Sequence, residues 1–450
     1  MTPAARIAAV IDILHAMDAA GDAAAARQAG QWLRADLQRR RYAGSGDRAE
    51  ISALFWAIQR GWSRLSWHLD AAGLAVTPRA LVLAALVLID KRTADLPSLF
   101  TNQASHAPAP LSDAEAPWVA ALDATSLTRP DMPHHVRREW PGWLLDDAVA
   151  GLAAAGLDNL AVDDELAALS NEAATDIRIN PLRQPDRRAL RDQLAGRGLK
   201  GHLTGLSPLG VRLEKRVRLE DLPEWKKGLF DVQDQGSQLV AMLCDARPGM
   251  QIADICSGAG GKALVMAAAM SNKGRILAID SNADRLDKAG ARLRRAGIHN
   301  VERKHVADKW SNRPWRGKFD RVVVDAPCSG SGTWRRQVDA RWRLTSDMLA
   351  ERQQTQAILL DKARAMVAPG GRIVYITCSV LASEGRDQIR RLLATATELE
   401  LADVAAVWDD TVRAAGGGAC PPTPSNMLQL LPGRDGCDGF FVAVLQARLL

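Results

Sequence analysis

Residues 251–280 read QIADICSGAGGKALVMAAAMSNKGRILAID. A short apolar strand (251–255) enters a loop of small residues, followed by an apolar helix (262–270) and a second strand (275–280). In that loop Ser257, Gly258, Ala259, Gly260 and Gly261 let the backbone turn sharply and approach a ligand before the helix begins. Such a turn alone serves a dinucleotide, a nucleoside or only the turn itself. Asp280 strengthens the nucleoside reading, because it closes the second strand where an acidic side chain in open α/β sheets accepts hydrogen bonds from ribose hydroxyls.

Downstream the same grammar repeats. Strands at 301–306, 320–325 and 372–377 alternate with helices at 283–296 and 347–367, as in a parallel sheet with crossover helices. Two further apolar segments, MLQLLP at 427–432 and FFVAVLQA at 440–447, are expected to form an antiparallel pair at one edge. Residues 228–450 therefore describe a Rossmann-like methyltransferase sheet.

At 450 residues the chain exceeds what one core accommodates, so two or three domains are expected. Residues 1–125 are rich in Ala and Leu, with apolar positions recurring at three and four residues, and predict an all-helical domain. The apolar run 80–89 is about half the ~20 residues of a membrane span and reads as a buried helix. Arg39, Arg40, Arg41 and Arg48, around AGSG, either touch phosphates or decorate a solvated helix end. Residues 100–117 read as a linker, and 139–227 as a small α+β module. Within it, residues 178–227 hold 13 Lys or Arg against 6 Asp or Glu, which accounts for the whole net charge of +6 and suits an RNA-facing surface.

With 47% hydrophobic and 24% charged residues the chain is an ordinary folded protein. Its six cysteines lack CxxC spacing, so neither a metal site nor a disulfide framework is expected, and reduced thiols fit a cytoplasmic protein. Arg6, Asp12, His15 and Asp18 interrupt any secretory signal, and no membrane insertion is expected.

The fourth strand ends in DAPCSGSGT (325–333) and the fifth in YITCS (375–379). Cys328 and Cys378 thus occupy the same end of neighbouring strands, ~5 Å apart laterally, where open α/β sheets bind ligands. Carbon 5 of cytosine becomes nucleophilic only after something adds to carbon 6, and a thiolate can make that attack. Asp325 is placed to stabilise charge developing at ring nitrogen 3. Cys328, or a water it positions, can assist removal of the carbon-5 proton. Asp308, in HVAD at the end of the third strand, either binds an adenine amino group or caps a turn. The run WRRQVDARWR (334–343) offers stacking faces and phosphate partners together, with structural tryptophans in a basic loop as the alternative.

With these motifs in order over some 270 residues, the sequence closely resembles the RsmB/Nop/Sun family of RNA cytosine-5 methyltransferases. The matching elements are DIRIN (176–180), GLFDVQDQGSQLVA from Gly228, DICSGAGGK (254–262), DAPCSGSGTWRR, YITCSVLASEG and LLPGRDGCDGFFVA. The resemblance implies Cys378 as nucleophile and Cys328 as the assistant in product release. It implies S-adenosyl-L-methionine as cofactor, contacted by Cys256, Ser257, Gly258, Ala259, Gly260, Gly261, Lys262, Asp280, Asp308 and Asp325, with Lys262 also near the reacting groups. The helical N-terminus is similar, more weakly, to a NusB-like RNA-binding extension. Small-subunit ribosomal RNA is the implied substrate. The alternatives are transfer RNA or a role as an RNA-binding ribosome-assembly factor with little catalysis. Departures from the family pattern are Ser257, Gly258 and Ala259 for AAP, Ala263 for Thr, QVD at 337–339 for NPD, and Gly385 for the Asn of EN.

Overall fold

The computed structural model describes residues 1–21, 28–215, 217–307 and 310–449. One unit comprises Met1–Leu145 with Gln337–Arg343, the other Asp146–Arg336 with Leu344–Leu450. The first is helical, with no strand among its described residues. Thr2 and Thr77 cap the helices Pro3–Asp18 and Pro78–Leu88 through their hydroxyls, each with a proline in the first turn. Leu81 to Leu88 are all buried in the unit's core, as the apolar run requires. Arg39 and Arg40 pair with Asp36, Arg40 also reaches Asp12, and Arg48 donates to the carbonyls of Ala43 and Arg40. Three of the four clustered arginines are therefore engaged within the unit.

The second unit holds two sheets. The small one contains β1 (Thr175–Ile179), β2 (Gly201–Leu203), β3 (Gly210–Leu213) and β4 (Phe230–Val232), all antiparallel in the order β2-β3-β1-β4. Helix Arg187–Ala195 buries Leu190 and Leu194 in the same cluster as Ile177, Val211 and Phe230. Part of the basic window is spent internally. Arg178 is buried and donates to Gln233 Oε1 at 2.6 Å, and Arg212 forms a forked pair with Asp176 at 2.7 and 2.8 Å. Arg188, Lys200, Lys215, Lys226 and Lys227 are exposed.

The large sheet contains β5 (Gln251–Ile255), β6 (Arg275–Asp280), β7 (Val301–His305), β8 (Phe319–Asp325), β9 (Val367–Thr377), β10 (Leu399–Leu401), β11 (Leu428–Leu430) and β12 (Phe440–Ala447). Its order is β10-β12-β9-β8-β5-β6-β7, with β11 also on β12. β5, β6, β7, β8 and β9 run parallel, and β12 runs antiparallel to β9. The central strands are continuous apolar runs because helices cover both faces. β7, reading VERKH, is the charged and exposed edge, which discourages pairing with another chain.

The expected antiparallel pair forms between β11 and β12, and a further strand joins it. β12 lies between β9 and β10, while β11 and β10 pair successively with the two ends of its free side. The sequence shows no sign of β10, three residues in a polar context, which is the second strand on that side of β12. Strand order reverses at β5, which opens a crevice above the carboxyl ends of β5 and β8.

Candidate active site

The loop after β5 is shaped by positive φ at Cys256 (62°), Gly258 (56°) and Gly260 (76°). A Cβ on Gly258 would meet nothing nearer than the Cys256 carbonyl at 3.9 Å, so this backbone faces open space. Asp280 holds the loop, accepting from Gly258 N at 2.7 Å with one oxygen and from Asn282 N at 2.8 Å with the other. A carboxylate offers about four lone-pair sites, so acceptor capacity remains for a ligand hydroxyl. Arg292 ties the Ala259 carbonyl at 2.8 Å to Asp231. The Cys256 thiol is half-buried, and burial pushes it up to about 12, so it is a neutral lining group. Asp308 lies outside the described residues.

Asp254, inside β5, was not singled out from sequence. It is fully buried, one oxygen accepts from Ser257 Oγ at 2.6 Å, and Oδ1 has no hydrogen-bond partner. Burial drives its carboxyl up to about 7 against the Ser257 bond. An unpartnered buried oxygen beneath an open glycine backbone suits a ligand with a cationic donor.

Across the crevice, Cys328 Sγ and Cys378 Sγ stand 3.4 Å apart. The parallel register of β8 and β9 brings the two loops together, and Gly332 N donates to the Cys378 carbonyl at 3.0 Å. The Cys378 thiol lies below the ordinary thiol range, chiefly because of its hydrogen bond with Cys328, with Lys262 and the Thr333 hydroxyl helping against burial and Asp325. Cys328 is correspondingly pushed well up. Lys262 Nζ is 2.6 Å from Asp325 Oδ2 and 5.6 Å from the centre of the Phe440 ring. Burial pulls the Lys262 ammonium down, but Asp325 outweighs it and the net shift is upward. Cys244, Cys420 and Cys437 are pushed up by burial, which favours their neutral thiols.

Beneath the thiols lies a polar clasp that sequence reading mentioned only as part of a motif. Glu384 is fully buried and accepts from Ser329 N at 2.8 Å and from Gln356 Nε2 at 3.1 Å, while Ser331 Oγ and Ser379 Oγ are 3.0 Å apart. At Trp334, Arg336 and Arg341 the Trp-Arg run is structural, the second of the two readings its sequence allows. Trp334 is buried with Nε1 on the Ser329 carbonyl, and Arg336 bridges Asp438 and Asp234. Arg341 is 1% exposed. Apolar neighbours and buried carboxylates claimed these side chains, and a pattern of residue types does not reveal them.

No helix among the described residues is long and apolar enough to cross a membrane, and no cluster of potential metal ligands occurs among them.

Comparison with known proteins gives a consistent picture. Ribosomal RNA small subunit methyltransferase B of Salmonella newport (strain SL254) is 33% identical over 250 residues, 55% of this chain and 54% of that protein. The protein of the same name from Salmonella heidelberg (strain SL476) matches equally. The chain thus spans about half the length of these curated relatives. The crystal structure of PH0851 superposes with a TM-score of 0.73 at 21% identity over 99% of both chains. A methyltransferase homolog protein from Pyrococcus horikoshii gives 0.53 at 24% identity, over 67% of this chain and 98% of that one. These likenesses show the fold. Residues 241–446, a little under half of the chain, match the family 16S rRNA methyltransferase RsmB/F, so it is this domain that is similar to the RsmB/F methyltransferases.

Proposed function

We propose that this protein transfers a methyl group from S-adenosylmethionine to carbon 5 of a cytosine in RNA, through a covalent adduct on Cys378. The observation that carries this reading is the pair of thiols 3.4 Å apart beside the Lys262 and Asp325 pair, at the edge where the loop after β5 opens. At that separation either thiol can hydrogen-bond the other, as a nucleophile and its assistant require.

The cofactor fits the loop 256–262, with Asp280 taking the ribose hydroxyls, Asp325 bordering the pocket and Asp254 Oδ1 available to an ammonium. Bound there, S-adenosylmethionine supplies an electrophilic methyl group. The Cys378 thiolate adds to carbon 6, and the Lys262 ammonium, held by Asp325, offers its remaining N–H groups to ring nitrogen 3 as charge develops there. After carbon 5 is methylated, Cys328 or a water it holds accepts the carbon-5 proton. The carbon–sulfur bond then breaks, and the electron pair returns to Cys378.

Small-subunit ribosomal RNA is the substrate this reading favours, by likeness to relatives bearing that name. Its phosphates would meet the exposed Arg188, Lys200, Lys215, Lys226 and Lys227 of the small basic module, and the helical domain at 1–125 would serve as a NusB-like RNA-binding extension. The target base must leave its stack to reach the thiols. Purified protein with labelled cofactor should methylate small-subunit RNA taken from cells lacking the modification. Label confined to transfer RNA would redirect the substrate, and no label in total RNA would leave a binding role.

A further inference from the structure

We propose that Glu384 decides which of the two thiols ionises: its buried carboxylate occupies the main-chain N–H beside Cys328 and so reserves the negative charge for Cys378. This rests on the reading of Cys378 as nucleophile. Glu384 closes the turn Ala382–Glu384 and has no exposed surface. Its carboxylate accepts from Ser329 N at 2.8 and 3.1 Å, from Ser329 Oγ, and from Gln356 Nε2 at 3.1 Å. Gln356 Nε2 also donates to the Pro327 carbonyl at 2.9 Å, so the segment carrying Cys328 is gripped on both sides. Burial pushes the Glu384 carboxyl up, and the donors that surround it work against burial to favour the ionised form.

The consequence is an asymmetry between two otherwise similar thiols. A main-chain N–H next to a cysteine is one of the groups able to stabilise its thiolate. At Cys328 the hydrogen bond with Cys378, burial and the Cys378 charge all disfavour the thiolate, and Glu384, which takes the following N–H, adds its own charge against it, while the Gly330 N–H acts in favour. At Cys378 the Cys328 thiol, the Thr333 hydroxyl and the Lys262 ammonium all favour the thiolate, against Asp325. Tyr375 donates its hydroxyl to the Glu384 carbonyl at 2.7 Å and so fixes the turn without neutralising the carboxylate. The thiols shift in the matching directions, Cys378 down and Cys328 up.

The test is alkylation of the full-length, cofactor-free protein with iodoacetamide between pH 6 and 9, with each cysteine quantified by peptide mass spectrometry. Wild type should label Cys378 ahead of Cys328. Glu384→Gln keeps the shape and removes the charge, and should cut that preference about tenfold, the equivalent of one pKa unit, with the Cys378 profile displaced to higher pH. Should Glu384→Gln fail to fold, Gln356→Leu, which strips a donor from the carboxylate, should lower the preference in the same direction. An unchanged preference in a folded variant overturns the role of Glu384 and leaves Cys378 as nucleophile. A wild type in which Cys328 reacts first overturns both.

Discussion

The Lys262 ammonium sits 2.6 Å from Asp325 Oδ2 and thereby joins the helix after β5 to the end of β8, the two elements that border the crevice. Lys262 is buried while Asp325 keeps 30% of its side chain exposed, so Asp325 borders the crevice and holds the ammonium in place beside it. Asp325→Asn retains the size but loses the charge that holds Lys262. Single-turnover methyl transfer should fall about 10²-fold, the usual cost of one preorganised polar group at a site of developing charge. Cofactor affinity, measured by calorimetry, should change much less. An equal loss in both would make Asp325 a cofactor ligand only.

The division of labour between the thiols predicts opposite phenotypes for two alanine variants. Cys328→Ala should form the carbon-6 adduct and fail to release it, so a protein and RNA complex survives denaturing electrophoresis. Cys378→Ala should form none. The reverse pattern would make Cys328 the nucleophile, and the trapped RNA, once sequenced, identifies the substrate in either case.

Much of this site is legible in the sequence because it is built from local motifs at strand ends. DICSGAGGK, DAPCS and YITCS each need only their own strand to be placed, and the parallel order of β5, β8 and β9 brings them together. What escapes is set by tertiary partners. Glu384 matters because Ser329 and Gln356 converge on it, and Asp254 because the sheet buries it. In the Trp-Arg run the same residue types that bind RNA on a surface pack inward, since Asp234 and Asp438 wait there for Arg336.

That bridge predicts a stability defect. Arg336 meets Asp438 at 2.5 Å and Asp234 at 2.9 Å and donates to the Ala174 carbonyl, next to β1, at 3.0 Å. Arg336→Met would leave two buried carboxylates facing each other. Arg335, 3.4 Å from Asp438, compensates in part. The expected loss is about 3 kcal/mol, the lower end for a broken buried pair, read from the urea midpoint of the full-length protein. A change within error would mean that Arg335 takes over completely.

Gly332 links the loop of Cys328 to the segment before β12. Its N–H donates to the Cys378 carbonyl, and its carbonyl accepts from Gly439 N at 2.8 Å. A Cβ at Gly332 would lie 2.2 Å from the Gly439 carbonyl oxygen, so Gly332→Ala must push these backbones apart. Overpacking of this kind costs about 1–3 kcal/mol. Because the same residue holds the Cys378 carbonyl, the rate of Cys378 alkylation should change along with the melting temperature. Destabilisation with unaltered thiol reactivity would show that the loop absorbs the strain away from the site.

Asp254 supplies a pH dependence whose sign can be worked out. Its carboxyl titrates at about 7 in the folded protein and near 4 when unfolded. A raised acid pKa favours folding fully below about pH 4, and that contribution is lost as pH climbs to about 7, because the unfolded chain releases the proton first. Asp254→Asn should therefore flatten the urea midpoint across this window. Cofactor binding should run the other way: an ammonium seated at Oδ1 needs the ionised carboxylate, so calorimetric affinity for S-adenosylmethionine should strengthen from pH 6 to 8 in wild type and stay level in Asp254→Asn. A wild-type affinity that is flat over this range would place the ammonium away from Asp254 and leave its free oxygen as a purely structural cost of closing the sheet.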